Sequence, residues 1–584
     1  MTAFEQALTF GAALTGSGMA RFRLWAPDAR QVELEIEGHA ARAMPQTGDG
    51  WWELEAPARP GDLYGFRIDG DLLAPDPASR AQAEDVHGYS VLVDPKAYAW
   101  RHPDWRGRPW PEAVIYELHA GLCGGFEGIA GKLPELKALG VTAVQLMPIA
   151  EFPGARGWGY DGVLPYAPER SYGPPEALKA LVDRAHELGL MIFLDVVYNH
   201  FGPDGAYLHA YARRFFREDI QTPWGGAMDF RQEAVRRYFI DNALYWLNEY
   251  RFDGLRFDAV HAYQDPEFLR VMGEEIRRGV GPDRDVHLIL ENEANIASVI
   301  GGRPFDAQWN DDIHHALHVM LTGEDRGYYG DFSDAPAERL ARGLKEGFIY
   351  QGEPAGGGKG KPRGEPSAGL PATAFVDCLQ NHDQIGNRAM GERLTVLAEP
   401  KALRAATALL LLSPHIPMIF MGEEIGSRSP FLYFTDHHDE LAEAVREGRR
   451  KEFAAFPEFS HPQARQRIPD PNAPETFERS RPEPGPDADA WRALYRDLLA
   501  LRRDLIAPRL DGAQALQARA IGEKAVVASW TLGDGAVLTL ALNLGARPVA
   551  LPPDIAGQVV WSEGEASATA LPGPGFRAFV EPNR

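Results

Sequence analysis

The run Arg251-Phe252-Asp253-Gly254-Leu255-Arg256-Phe257-Asp258 holds the residues of this chain best suited to chemistry. It follows an apolar helical stretch (Val235 to Tyr250) and alternates apolar and polar positions, which describes a strand. On a strand Arg256 and Asp258 project to the same side. The guanidinium favours the ionised carboxylate, so Asp258 is expected as an anion, the state a carboxylate nucleophile needs. A purely structural Arg–Asp pair has the same local pattern, so the neighbouring polar clusters carry the weight.

Three such clusters follow other apolar runs: Asp195-Val196-Val197-Tyr198-Asn199-His200, Leu290-Glu291-Asn292-Glu293, and Asn381-His382-Asp383-Gln384-Ile385-Gly386-Asn387-Arg388. Glu291 comes directly after Leu288-Ile289-Leu290. Burial at such a strand end raises a carboxyl pKa, which suits a general acid. An anionic Asp258 and a protonated Glu291, about 5 Å apart, are what retaining glycoside hydrolysis uses. Asp383 is then placed to bond sugar hydroxyls and to stabilise positive charge at the anomeric carbon.

The elements that position these residues are strand–helix repeats. Val114 to His119 reads as a strand, and a helix through Leu133, Leu136 and Leu139 stops at Gly140. Pro174-Pro175 opens a second helix that Gly189 ends, and the apolar run Leu190 to Val197 reads as a parallel strand covered on both faces. The cycle returns through Asp258, Val286 to Glu291, Ala374 to Val376, and Ile416 to Met421. About eight strands over roughly 390 residues predict an α/β fold, a (β/α)8 TIM barrel with insertions, whose site lies at the strand C-termini.

Residues 1–100 carry short alternating segments between turn signals, the pattern of a β-sandwich. Asp104 to Pro111 reads as a linker, Glu353 to Leu370 as a mobile Gly/Pro/Lys-rich loop, and Phe456 to Asp487 as an extended excursion. Trp491 to Arg503 predicts a helix, and strand-like runs after Ala513 predict a C-terminal antiparallel β domain. The expected division is 1–100, 101–508 and 509–584.

The chain has 584 residues and a formal net charge of −23, which disfavours nucleic acid and membrane partners and costs a neutral sugar nothing. Only Cys123 and Cys378 are present, which suits a reducing compartment; both are expected as small buried apolar groups. No apolar run approaches a bilayer span and the first residues lack a basic leader, so a cytoplasmic location is expected.

Taken together, the four clusters resemble the signature regions of the α-amylase superfamily of glycoside hydrolases. The resemblance covers the barrel, and the N-terminal sandwich looks like the carbohydrate-binding-type module of branching, debranching and trehalose-releasing members. It implies Asp258 as nucleophile, Glu291 as acid/base and Asp383 as transition-state stabiliser. It also implies Asp195, His200, Arg256 and His382 as supporting residues, and Tyr160 with Asp161 at the sugar site. The stretch before Glu291 lacks the glycine commonest there in the superfamily, which leaves Glu293 as the other acid. Phe215-Phe216, Thr222-Pro223-Trp224-Gly225, Trp309-Asn310-Asp311-Asp312, Pro430 to His437 and Glu447 to Phe453 resemble the family of malto-oligosyltrehalose trehalohydrolases. That resemblance implies malto-oligosyltrehalose and related α-glucans as substrates, a functional pairing with a malto-oligosyltrehalose synthase, and no metal or organic cofactor. Trp224, Trp309 and Asp312 are the candidates for binding the trehalose side. Two competing readings are a glucan branching or debranching enzyme and an inactive amylase-like carbohydrate-binding scaffold. The scaffold reading expects one of the three carboxylates to be missing, and all are present. A phosphate-binding barrel is set aside because Gly422-Glu423-Glu424 is acidic where a phosphate loop would lie.

Overall fold

The computed structural model describes residues 3–583 apart from 17, 223–224, 303, 356–359, 566 and 568. Eight parallel strands close into a barrel: β1 (Ile115–Leu118), β2 (Ala143–Leu146), β3 (Met191–Val196), β4 (Gly254–Phe257), β5 (His287–Leu290), β6 (Ala307–Trp309), β7 (Phe375–Cys378) and β8 (Ile416–Phe420). β8 pairs with β1 and completes the ring. Every residue of these strands is buried, as expected where helices cover the outer face and side chains fill the inner one.

Helix α1 (Gly125–Leu139) follows β1, α2 (Pro175–Glu187) β2, α3 (Glu233–Leu244) β3 and α4 (Pro266–Val280) β4. After β6 come α5 (Asp311–Thr322) and α6 (Pro336–Glu346). The short α7 (His382–Gly386) and α8 (Pro400–Leu412) follow β7, and α9 (Asp439–Glu452) and α10 (Ala488–Leu501) follow β8. α2 starts with Pro175 in its first turn, and the left-handed Gly189 (φ 72°) turns the chain after it, as the sequence reading required. The helix read through Tyr250 is α3 continued by a π-helical turn, Tyr245–Glu249.

Ile115, Ala143, Phe193, Ile289, Val376 and Met418 pack inside the barrel, and Trp110 joins this cluster from the N-terminal side. The stretch expected as a linker is therefore packed. Trp105 donates its Nε1–H to Asp253 Oδ1 (2.8 Å) and stacks on His186 with ring centroids 5.1 Å apart. Two large aromatic side chains within six residues bury too much apolar surface to leave the segment loose.

The N-terminal region forms two antiparallel sheets, with Phe22 and Tyr64 in edge contact (5.0 Å) between them. It leans on the barrel through Phe10 against Tyr238 (5.0 Å), Trp25 against Phe215 (5.4 Å) and a buried Arg80–Glu249 ion pair (3.1 Å). At the other end a five-stranded antiparallel sheet packs against α6 and α8.

Both insertions carry local structure that the sequence reading did not give them. The described part of 353–370 is a small hairpin (Glu353–Pro354 with Pro362–Arg363) anchored by Arg363, which reaches Asp312 Oδ1 (2.9 Å) and the Glu293 carbonyl (2.8 Å). The excursion 456–487 contains helical turns at Pro457–Phe459, Pro462–Arg465 and Pro474–Arg479. Its prolines open these turns, where a missing N–H has no partner to lose. Cys378 lies in the barrel interior, whereas Cys123 is only partly buried; desolvation pushes its thiol up to about 11. Among the described residues no helix is long and apolar enough to cross a membrane.

Candidate active site

β4 delivers Arg256 to the C-terminal mouth of the barrel, where its guanidinium organises the site. Nη1 donates to Asp195 Oδ2 (2.6 Å) on β3 and to Asp258 Oδ1 (2.8 Å) just past its own strand. Nη2 stands 2.7 Å from Glu291 Oε2, an ion-pair contact at the end of β5. The register places Asp195 beside Arg256, so the β3–β4 pairing itself creates the first of these bonds. Trp309 of β6 lies under the guanidinium at 4.2 Å from its ring centre and supplies a cation–π floor.

Backbone strain sits beside the nucleophile candidate. Ala259 adopts a left-handed conformation (φ 40°, ψ 50°), and its N–H donates to Glu291 Oε2 at 2.9 Å. Glu291 thus contacts both Arg256 and the peptide that follows Asp258. Glu293 is 74% exposed and stands 3.8 Å from His261, so of the two glutamates only Glu291 reaches the cluster.

A hydrogen-bonded chain closes the other side. The buried Glu117 of β1 binds His382 Nδ1 (2.8 Å), His382 Nε2 lies 2.7 Å from Tyr160 Oη, and Tyr160 donates to Asp195 Oδ2 (2.7 Å). Burial opposes a charge on His382, yet Asp383 and Glu117 outweigh it and push the imidazole up to about 9. Both ring nitrogens then donate, which fixes the direction of the chain. Asp383, 3.6 Å from His382 Nε2, has 35% of its side chain exposed and is the most open of the three carboxylates. His200 Nε2 bonds the Tyr160 carbonyl (2.9 Å), and Asp161 pairs with His437 (3.5 Å), so both hold the loop that carries Tyr160.

Protonation departs from the sequence expectation. Burial, and after it the charge of Glu291, push Asp258 well above the ordinary carboxylate range despite Arg256. Burial works the same way on Glu291, but Arg256 and the Ala259 N–H outweigh it and hold Glu291 below its ordinary value. The two shifts run in opposite directions because Arg256 is shared between the carboxyls and the Ala259 N–H serves Glu291 alone. Burial also raises Asp195 to about 6 and raises Asp383, each against a nearby cation.

The candidates for the trehalose side fare differently. Trp224 lies outside the described residues. Trp309 is buried under Arg256, and its ring belongs to the barrel interior, not to the cleft wall. Asp312 is fully buried; its carboxylate accepts from Asn295 Nδ2, the Ile349 and Tyr350 N–H groups and Arg363, which makes it a loop anchor. Sequence reasoning passed over Glu117, whose signal was an acid inside an otherwise apolar strand. It also passed over Asp311, which burial, then Glu291, push up to about 7.

Comparison with known proteins bears on this geometry. Residues 97–224 match the alpha amylase catalytic domain, 9–81 carbohydrate-binding module 48 (the isoamylase N-terminal domain), and 513–576 a domain of unknown function, DUF3459. A malto-oligosyltrehalose trehalohydrolase from Deinococcus radiodurans is 44% identical over 84% of this chain and 82% of its own length. The chain belongs to the malto-oligosyltrehalose trehalohydrolase family. A second such protein, from Arthrobacter ramosus, is 40% identical over 95% of this chain and 98% of its own length. A crystal structure from Salmonella typhimurium, named provisionally as an alpha amylase, superposes with a TM-score of 0.93 at 45% identity, covering 98% of this chain and 100% of that one. The trehalohydrolase family thus spans the sandwich, the barrel and the C-terminal sheet together.

Proposed function

We propose that this chain is a retaining α-glycoside hydrolase that cuts the α-1,4-glucosidic bond next to the terminal trehalose of malto-oligosyltrehalose, releasing trehalose and a malto-oligosaccharide. The observation that carries the reading is the guanidinium shared by Asp258 and Glu291, with Asp383 near enough to feel the charge of both. Two carboxyls on one arginine fit the close spacing of retaining enzymes better than the wide spacing that admits a water.

Arrival of the sugar ring changes the protonation. Glu291 is the more open of the pair, 18% exposed against 10% for Asp258, so it has more water to lose. Its proton affinity rises accordingly, and Glu291 enters the reaction as the acid. Glu291 then protonates the glycosidic oxygen while Asp258, held by Arg256, attacks the anomeric carbon. The leaving bond breaks and a β-glycosyl-enzyme forms. Asp383 lies where positive charge develops on the ring. Water that gives its proton to Glu291 attacks the same carbon, Asp258 leaves, and the α configuration is retained.

In this reading the sandwich, barrel and C-terminal sheet form units 1–100, 101–508 and 509–584, the enzyme works in the cytoplasm, and a malto-oligosyltrehalose synthase supplies its substrate. Chromatography of products from maltotriosyltrehalose tests the reading. Equal amounts of trehalose and maltotriose are expected; glucose or maltose without trehalose would sink it.

A further inference from the structure

Asp383 stands on α7, a helix of five residues. A helix that short does not hold itself in water. Its N-terminus is capped by Asn381, which accepts from the Gln384 N–H (3.0 Å). Its other end leaves carbonyls without helical partners. Arg449 takes two of the carbonyls there: Nη2 donates to Gly386 O (2.6 Å) and to Arg388 O (3.1 Å). Gly386 is also wedged from the side, since an added Cβ would lie 2.1 Å from Trp158 of the Tyr160 loop.

Arg449 comes from far along the chain, on α9 after β8. It is the only buried residue of that helix, 8% exposed, and it lies between Tyr433 (5.4 Å) and Phe453 (4.7 Å). A helix whose one inward side chain is an arginine adds little to a hydrophobic core. The donors of that arginine end on the segment that follows Asp383. The remaining terminal nitrogen, Nη1, is held by Glu452 Oε2 (3.0 Å), which fixes the plane of the guanidinium.

We propose that Arg449 is a positioning residue for the reaction: by binding the Gly386 and Arg388 carbonyls it sets where the Asp383 carboxylate meets the sugar ring. The inference rests on the functional reading above, because it takes Asp383 as the group that stabilises the transition state. A positioning error of about 1 Å costs about 10²-fold in rate.

The test compares wild type, Arg449→Met and Arg449→Lys by kcat and KM for trehalose release, thermal unfolding, and affinity for 1-deoxynojirimycin, a cationic mimic of the charged ring. Arg449→Met is expected to lower kcat about 10²-fold with KM changed less than about twofold, since the interaction matters chiefly in the transition state. Its affinity for the cationic mimic should weaken while affinity for trehalose holds. Arg449→Lys, which can hold one carbonyl well and not both, should fall between. A kcat equal to wild type in Arg449→Met, or a loss matched by the unfolded fraction with mimic affinity intact, overturns the proposal. If Arg449→Met does not fold, Arg449→Lys decides by the same two readouts: unchanged kcat and mimic affinity overturn it, and a joint fall supports it. Failure of the wild type to release trehalose would sink the functional reading alone, and the same comparison would then use whichever α-glucan the wild type cleaves.

Discussion

The tripeptide Arg-Phe-Asp occurs twice around β4, ending at Asp253 and at Asp258, on opposite sides of one short strand. Both aspartates are buried, yet their surroundings differ. Asp253 receives Trp105 Nε1 (2.8 Å), His186 Nε2 (3.0 Å) and the Ile192 N–H (3.0 Å), with Arg284 at 3.8 Å. Burial opposes its charge, but His186 and Arg284 outweigh it and keep Asp253 below the ordinary range. Asp258 has one cation, shared with two other carboxylates, and is pushed the other way. Identical residue types thus serve stability where donors are plentiful and reactivity where they are scarce.

Substituting each aspartate by its amide separates those roles, and the largest effect belongs to the reactive one. Asp258→Asn should lower trehalose release on the order of 10⁴-fold or more, with a melting temperature equal to or above wild type, because a carboxyl that is costly to ionise leaves a crowded cluster. Near-normal turnover in this variant would erase the distinction. Asp253→Asn should do the reverse in denaturant titrations, losing about 3 kcal/mol of stability while the folded enzyme keeps its kcat and KM. A large drop in kcat there would make both ends of the strand catalytic.

The pH dependence of the melting temperature sharpens the contrast. The depressed pKa of Asp253 means its stabilisation is present above the unfolded value and lost as pH falls through the folded one. Asp258 is raised, so its contribution is present below the unfolded pKa and lost as pH rises through the folded one. Asp253→Asn should therefore flatten the acid limb and Asp258→Asn the alkaline limb; the opposite pairing would contradict the assignment. The smallest effect concerns Asp311. Removing its charge beside Glu291 with Asp311→Asn should move the alkaline limb of kcat/KM to lower pH, and an unmoved limb would take Asp311 out of the site.

The contrast also marks what the sequence can express. The pairing of Arg256 with Asp258 was legible because a strand repeats every two residues, and the choice of Glu291 over Glu293 because an apolar strand ends at Leu290. The barrel order followed from the same alternation of short apolar runs and capped helices. Trp309 and Asp312 were misplaced because the run Trp309-Asn310-Asp311-Asp312 crosses from strand to helix, where one residue of phase decides which side chain meets the cleft. The opposite shifts of Asp258 and Glu291 were illegible for another reason. They depend on Arg256 contacting Asp195, Asp258 and Glu291 at once, and spacing along the chain does not encode a three-way distance.

The twisted alanine after Asp258 has one last consequence. Glycine at 259 would relax there and steady the folded chain, so the position stands in tension with thermal robustness. That peptide ties the Glu291 carboxylate to the backbone that carries Asp258. A single amide thus couples the ends of two neighbouring strands at the barrel mouth.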